Sequence, residues 1–216
     1  MKLYISDVSL FDESFFEKAL FVPLEKQGDL ASFRNPLSRK EHILAWSLLS
    51  YAYEGKTGRN SDEIKLIYAK NGKPYLRTDP FFFNLSHSGG RVICAVSEKE
   101  VGADVQLVKE PRPAVVKRVL CENEQKALDE CEDARDVAFM RFWTQKESYL
   151  KYTGEGIAAG LADFDFSSVA GKDRFRLFSK EFRTFSEKGF VYSVCFESGS
   201  PERVFLSPGD FSSLTR

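Results

Sequence analysis

The stretch "FFFNLSHSGGRVICAVSEKEVGADVQLV", residues 81–108, decides the fold. It reads as a strand running into a polar loop, a return through Gly89 and Gly90 into a second strand, and a short turn into a third. Three such strands in succession make a meander. In the third, side chains alternate across the sheet, so Asp104 and Gln106 project to one side while Ala103 and Val105 face the other.

Working outward, "KLYISDV" alternates like an opening strand. "PLSRKEHILAWSLLSYAYE" carries Ile43, Leu44, Ser47, Leu48 and Tyr51 at helical spacing, with Ser38 as its N-cap. "IKLIYAKNGKPYL" reads as a strand and a turn, because Asn71 and Gly72 tolerate the positive φ of a tight reversal. Beyond the meander, "PAVVKRVL" and "NEQKALDECED" are helical pieces, and "RDVAFMRFWTQKESYLKYTG" is a long helix stopped by Gly154. "RFRLFSKEF" and "GFVYSVCFES" are strands. Helices and antiparallel strands segregate within each half, which gives an α+β architecture of two pseudo-symmetric halves. "VICAVSE" against "VYSVCFE" points to an internal duplication. With no low-complexity linker, the boundary falls near Gly102, giving an N-terminal α+β half, 1–101, packed tightly on a C-terminal α+β half, 102–216.

The bulk properties narrow the function. With 216 residues, 43% of them hydrophobic and 29% charged, and a formal charge of -1, the chain can bury a real core and has no electrostatic case for binding nucleic acid. The four cysteines form no CxxC pair, and two histidines cannot complete a zinc spacing, so a reduced cytoplasmic protein is expected. Asp7 and Asp12 interrupt the amino terminus as a signal peptide, and no stretch approaches the ~18 apolar residues of a membrane span.

Three polar clusters lie beside strongly apolar sequence: "NLSHS" at 84–88, "GADVQ" at 102–106 and "QKESYLK" at 145–151. Trp143, Glu147 and Lys151 are four residues apart in series, and steps of four drift only about 40° around a helix, so an aromatic, an acid and a base share one stripe. Alone, Glu147 and Lys151 are an ordinary surface pair worth ~0.3 kcal/mol, Trp143 is a core residue and Asp104 is a turn residue after glycine. Together, Asp104, Gln106 and Glu147 offer the oxygen-rich set that Mg²⁺ takes alongside water and substrate phosphate.

In this order and at these separations, the clusters resemble the 4′-phosphopantetheinyl transferases of the large two-half Sfp type, with their N-x-S-H-S element, G-x-D-x-E strand and W-x-x-K-E-S/A-x-x-K helix. The likeness runs from "NGKP" at 71–74 to Gly154. It implies a holo-[acyl-carrier-protein] synthase type enzyme, a cytoplasmic monomer. Such an enzyme transfers the phosphopantetheine arm of coenzyme A to a serine of an apo acyl or peptidyl carrier protein, with Mg²⁺ on the pyrophosphate and 3′,5′-ADP as leaving group. Asp104, Glu147 and Gln106 then hold the metal, Glu147 or a water it orients is the base, and Lys151 offsets phosphate charge while keeping Glu147 ionised. His87, with Ser86 beside it, takes a coenzyme A phosphate, and Lys73 and Pro74 match the adenine-side loop. Two departures stand out. Gln106 replaces the usual glutamate, which also motivates the alternative of a degenerate relative that binds coenzyme A and transfers poorly. Glu41 falls near the usual place of a phosphate-binding arginine, leaving Arg39 and Lys40 to substitute, and upstream "LEKQGD" keeps Lys26 but sets Asp29 where another basic residue is common.

Overall fold

The computed structural model describes residues 1–78, 81–131, 133–156 and 160–214. In chain order the elements are β1 (Lys2–Asp7), α1 (Glu13–Lys18), α2 (Leu24–Gln27), α3 (Pro36–Thr57), β2 (Leu66–Tyr68), β3 (Pro74–Leu76), β4 (Phe82–Ser88), β5 (Arg91–Ser97), β6 (Val101–Leu107), α4 (Pro113–Val119), α5 (Glu122–Asp129), α6 (Arg135–Thr153), β7 (Arg174–Leu177), β8 (Lys180–Glu187), β9 (Phe190–Phe196) and β10 (Glu202–Phe205). The architecture is the expected α+β one. One four-stranded sheet has the order β10-β1-β5-β4, the other β6-β9-β8-β7, and β2 with β3 forms a separate hairpin.

Each sheet repeats one plan. A strand, a run of helices ending in the longest one, and then a hairpin appear as β1, α3 and β4–β5, and again as β6, α6 and β8–β9, with the hairpin's second strand central and antiparallel to the opening strand in both. "VICAVSE" and "VYSVCFE" are the equivalent central strands. Alternation then divides the core into layers. Leu3, Ile5, Ile93 and Ala95 of the first sheet meet Ala103, Val105, Tyr192 and Val194 of the second. The opposite faces bury Val92, Cys94 and Phe83 under α3 and Val191, Cys195 and Phe182 under α6. Arg91 pins the sheets together at one end, donating to Tyr192 Oη at 2.7 Å and to Asp7 at 3.2 Å.

Several local expectations change. Asn35, not Ser38, caps α3: its Oδ1 accepts the Ser38 N–H at 3.1 Å, and Pro36, which has no N–H to lose, opens the helix. "NLSHS" is part of β4, not a loop; Gly89 and Gly90 alone make the turn, both at positive φ. "RFRLFSKEF" is a hairpin, β7 and β8, because Phe178 and Ser179 both adopt positive φ without glycine, a turn that leaves no residue-type signal. The meander stops after two strands. β6 leaves the first sheet and opens the second, running beside β4 without a backbone ladder. The tail also crosses over: β10 pairs in parallel with β1, and Phe211 packs on Phe11 and Phe15, so residues 202–211 complete the first sheet and its core.

Among the described residues, no helix is long and apolar enough to cross a membrane.

Gly102 sits where α6 crosses β6. A Cβ there would lie 2.0 Å from Ser148 O and 2.3 Å from Tyr152 N, both helix backbone. No side-chain rotation relieves that clash, so Gly102→Ala must push α6 away from the sheet. The expected loss is about 3 kcal/mol or more, above the usual range for overpacking, read as a lower urea midpoint; wild-type stability would contradict so close a crossing.

Candidate active site

The three polar clusters meet along the line between β4 and β6. On β4, Asn84, Ser86 and Ser88 point one way, and their side-chain oxygens accept the N–H groups of Ala103 at 2.9 Å, Val105 at 3.3 Å and Leu107 at 3.2 Å. Three polar residues at strand spacing thus satisfy three N–H groups on the open edge of β6, which a buried edge requires. The acceptor and donor numbers rise in step, so the strands run parallel along this seam. Its regularity explains why the motif skips every second residue.

Asp104, 2% exposed, is carried by β6 into this seam. Its Oδ1 accepts from Lys151 Nζ at 2.6 Å and from Ser86 Oγ at 2.7 Å, and Lys151 Nζ also reaches Ser86 Oγ at 3.0 Å. Its Oδ2 accepts from Gln106 Nε2 at 3.1 Å, while Gln106 Oε1 accepts from Ser88 at 3.3 Å. Gln106 therefore turns its amide nitrogen toward Asp104 and its oxygen toward β4. Glu147, one helical turn from Lys151, is 7% exposed, and no hydrogen bond reaches its carboxylate among the described residues. Burial first and the Asp104 charge second hold its pKa above the ordinary value, outweighing Lys151, which pulls it down. Lys151 thus favours the ionised form of Glu147, as expected, but burial and Asp104 outweigh it, because the ammonium is hydrogen-bonded to Asp104 and Glu147 is left buried beside another carboxylate.

α6 is aimed by contacts at several points. Lys146 and Glu124 form an ion pair at 2.5 Å with both side chains fully buried. The Lys146 ammonium also donates to Val119 O and Leu161 O at 2.9 Å each, and Glu124 accepts from Cys121 N and Phe166 N. Breaking such a pair from one side costs about 3–5 kcal/mol. Cys121, Glu124 and Asp165 approach one another closely enough to suggest a metal group, but both Glu124 oxygens are taken by these donors. At the other end, Asn71 Nδ2 donates to Gly154 O and Glu155 O at 3.1 Å. Lys73, buried, donates to Glu100 at 2.5 Å, Val101 O at 3.3 Å and Tyr152 O at 3.1 Å. Its three N–H donors are matched by three acceptors, so the "NGKP" turn clasps the C-terminal carbonyls of α6 rather than holding a free cation. Pro74 opens β3 beside it. Trp143, the third member of the stripe, packs on Phe139 in the core.

The basic residues expected near α3 divide. His87 lies on the opposite face of β4 from Ser86, with its Nδ1 3.0 Å from Glu41 Oε2. Arg39 donates instead to Phe16 O at 3.3 Å, and Lys40 pairs with Glu13. Successive helix residues are about 100° apart, so a helix that faces Glu41 to β4 turns Arg39 and Lys40 toward α1. Lys26 pairs with Asp29 and lies 5.3 Å from the Trp46 ring centroid. His42, which sequence reasoning passed over, packs against Phe33; burial first, then Lys26, lowers its pKa to about 4. A cavity of about 800 Å³ lies at the far end of α3, lined by Tyr51, Arg59 and Lys99 and by none of the residues of the Asp104 group.

The sequence profile of the 4′-phosphopantetheinyl transferase superfamily matches residues 100–196, the span that holds β6, α6 and β9. The chain is 30% identical over 171 residues to the 4′-phosphopantetheinyl transferase psf-1 of Bacillus pumilus, covering 76% of this chain and 73% of that protein. The chain belongs to the 4′-phosphopantetheinyl transferases. It is also 35% identical over 154 residues to a 4′-phosphopantetheinyl transferase of Bacillus subtilis, covering 70% and 67%, and 30% identical over 124 residues to the transferase Sfp of Bacillus subtilis strain 168, covering 56% and 54%. In this transferase the donor set suits a hard cation. It offers two carboxylates, Asp104 and Glu147, while the Gln106 oxygen is turned to Ser88; Lys151 offsets the Glu147 charge only in part, and no hydrogen bond reaches that carboxylate among the described residues.

A carboxylate with a raised folded-state pKa contributes stability that is full below its ordinary value, 4.5, and lost as pH rises through the raised one. At pH 8, with metal removed by EDTA, Glu147→Gln should therefore raise the thermal midpoint, and the gain should fade toward pH 4. A lower midpoint at pH 8 would contradict a charge-strained Glu147.

Proposed function

We propose that the protein transfers the phosphopantetheine arm of coenzyme A to a serine of an apo acyl or peptidyl carrier protein, releasing 3′,5′-ADP, with Mg²⁺ held by Asp104 and Glu147. The observation that carries this reading is the group at the seam in which one ammonium, that of half-buried Lys151, faces two buried carboxylates, Asp104 and Glu147. The reacting serine oxygen bonds to the phosphorus that bears the pantetheine arm, the bond from that phosphorus to the ADP oxygen breaks, and the serine proton must leave. Glu147 takes that proton, directly or through one water; its raised pKa makes it a stronger base than a free carboxylate. Ser86 and Lys151 orient Asp104, and the Lys151 ammonium supplies positive charge beside the charge that builds on the phosphate oxygens. The metal, when bound, supplies charge neutralisation on the leaving pyrophosphate.

Successive side chains of a strand point to opposite faces, so His87 lies on one side of β4 and the Ser86, Lys151 and Asp104 group on the other. A ligand with two separate phosphate groups, such as coenzyme A, suits that arrangement: the 3′-phosphate at His87, with Lys26 nearby, and the pyrophosphate at Asp104. The working unit is a monomer whose halves, 1–101 with the returning tail 202–211 and the rest of 102–216, each supply one wall, and it acts in the cytoplasm. The second reading, a relative that binds coenzyme A but transfers poorly, rests on Gln106 in place of a carboxylate. Incubation with an apo carrier protein, Mg²⁺ and coenzyme A, followed by mass spectrometry, separates the two. A carrier gaining one phosphopantetheine arm at a useful rate supports the enzyme, and no gain at saturating Mg²⁺ supports the binder.

Asp104→Ala and Glu147→Ala are each expected to lower turnover at least ~100-fold, as loss of a metal ligand does, while circular dichroism stays native; wild-type turnover in either would remove the metal site from this account. Gln106→Glu replaces a donor to Asp104 with a second negative charge. Repulsion and desolvation leave about 1 kcal/mol of net gain toward the cation, roughly a fivefold lower Mg²⁺ concentration for half-maximal transfer. An unchanged or higher Mg²⁺ requirement would place residue 106 outside the metal's reach.

A further inference from the structure

Glu41 is a buried carboxylate, 5% exposed, near the family's usual place for an arginine. Both its oxygens are used. Oε1 accepts the Gly90 N–H at 2.7 Å, and Oε2 lies 3.0 Å from His87 Nδ1. Burial pushes its pKa up, but the bonds from His87 and Gly90 outweigh that and hold it below its ordinary value, so it is ionised at neutral pH. An ionised carboxylate only accepts, and therefore His87 must carry its proton on Nδ1. Imidazole geometry then directs Nε2 away from Glu41.

We propose that Glu41 is a positioning residue, which through His87 Nδ1 and the Gly90 N–H fixes the ring orientation and tautomer that present Nε2 to a phosphate of coenzyme A. This rests on the reading that His87 meets such a phosphate. The arrangement replaces an arginine with a relay: carboxylate, imidazole, then anion. The carboxylate holds the ring by Nδ1, so Nε2 is the nitrogen left to meet an anion. Among the described residues, the charged and titratable groups around this pair are His42 on α3, which feels His87 and Lys26, and at the Gly90 turn the ion pair of Asp7 and Arg91, while Ser86 and Ser88 point to the other face of β4. Gly90 makes the hairpin turn part of the device, since the same carboxylate that orients the imidazole also fixes the turn that ends β4.

The chain has only two histidines, so ¹⁵N imidazole spectra assign readily with His87→Ala as reference. In the wild-type protein His87 should show the Nδ1–H tautomer; the Nε2–H tautomer there would overturn the proposal without any variant of Glu41. In Glu41→Gln the single amide oxygen still accepts from Gly90, and the NH₂ group faces Nδ1, so the tautomer should flip to Nε2–H; no flip would also overturn it. Loss of a charge-assisted hydrogen bond predicts about a tenfold rise in KM for coenzyme A, falling on KM rather than on kcat. In the His87→Ala background, Glu41→Gln should add nothing further. Additive losses would mean that Glu41 acts on the fold and not through His87. If the tautomer flips as expected while His87→Ala binds coenzyme A as tightly as wild type, the phosphate reading at His87 fails and the Glu41 pairing stands.

Discussion

Everything at the active centre depends on the seam between β4 and β6. Two sheet edges that did not pair by a backbone ladder would ordinarily leave a row of buried N–H groups unsatisfied, each costing about 1–3 kcal/mol. Asn84, Ser86 and Ser88 remove that cost with side-chain oxygens. Because the acceptors are side chains and not carbonyls, the strands stand far enough apart for a second set of contacts to grow between them. Ser86 does both jobs, accepting from Val105 N and donating to Asp104. The device that joins the sheets therefore also orients the carboxylate.

The second constraint is the position of α6. Its polar stripe is useful only if the helix lies at one depth and one rotation over β6. Gly102 sets the depth by letting helix backbone approach sheet backbone. Lys146 sets the rotation: a long side chain aimed through the core at Glu124, Val119 O and Leu161 O admits one angle. Asn71 and Lys73 fix the end from the first half of the chain. Lysine in the core is costly, since burial lowers its pKa against the opposing pull of Glu124. Its adjacency to Glu147 explains the expense. Consecutive helix residues point about 100° apart, so locking Lys146 inward holds Glu147 toward the seam.

Much of this was legible in the sequence, and the limits have physical causes. α3 was readable from Ile43, Leu44, Leu48 and Tyr51 at helical spacing, and α6 from its length up to Gly154, whose positive φ ends it. The association of Asp104, Glu147 and Lys151 was readable from motif order. What stayed hidden was long-range. No local signal tells a third strand to leave its sheet, because the decision lies in side chains of another strand accepting its N–H groups. Nothing in "ERVF" announces a parallel return to β1. Lys146 and Glu124 gave no sign of their pairing, since burial of a pair 22 residues apart depends on the packing of α5 against α6. Glu41 was noticed only as a misfit. Its partner lies on a strand 46 residues later, and the carboxylate has meaning only once that strand is in place.

The substitution at position 106 follows the same logic of satisfied charge. With two carboxylates already opposed by one ammonium, a third would sit within hydrogen-bond distance of Asp104 in the absence of any cation. An amide avoids this: it gives Asp104 a donor at 3.1 Å and takes one from Ser88 at 3.3 Å, so the seam is closed by complementary pairs on both sides. Glu147 is compensated only in part by Lys151, and its raised pKa records that. The unfavourable charge of the site is thereby concentrated on one side chain of α6. On the proposed reading, a cation drawn to that seam would meet Asp104 already oriented and Glu147 already desolvated, so less of its binding free energy would go into ordering the ligands. Preorganisation of this kind would partly offset the negative charge that Gln106 withholds.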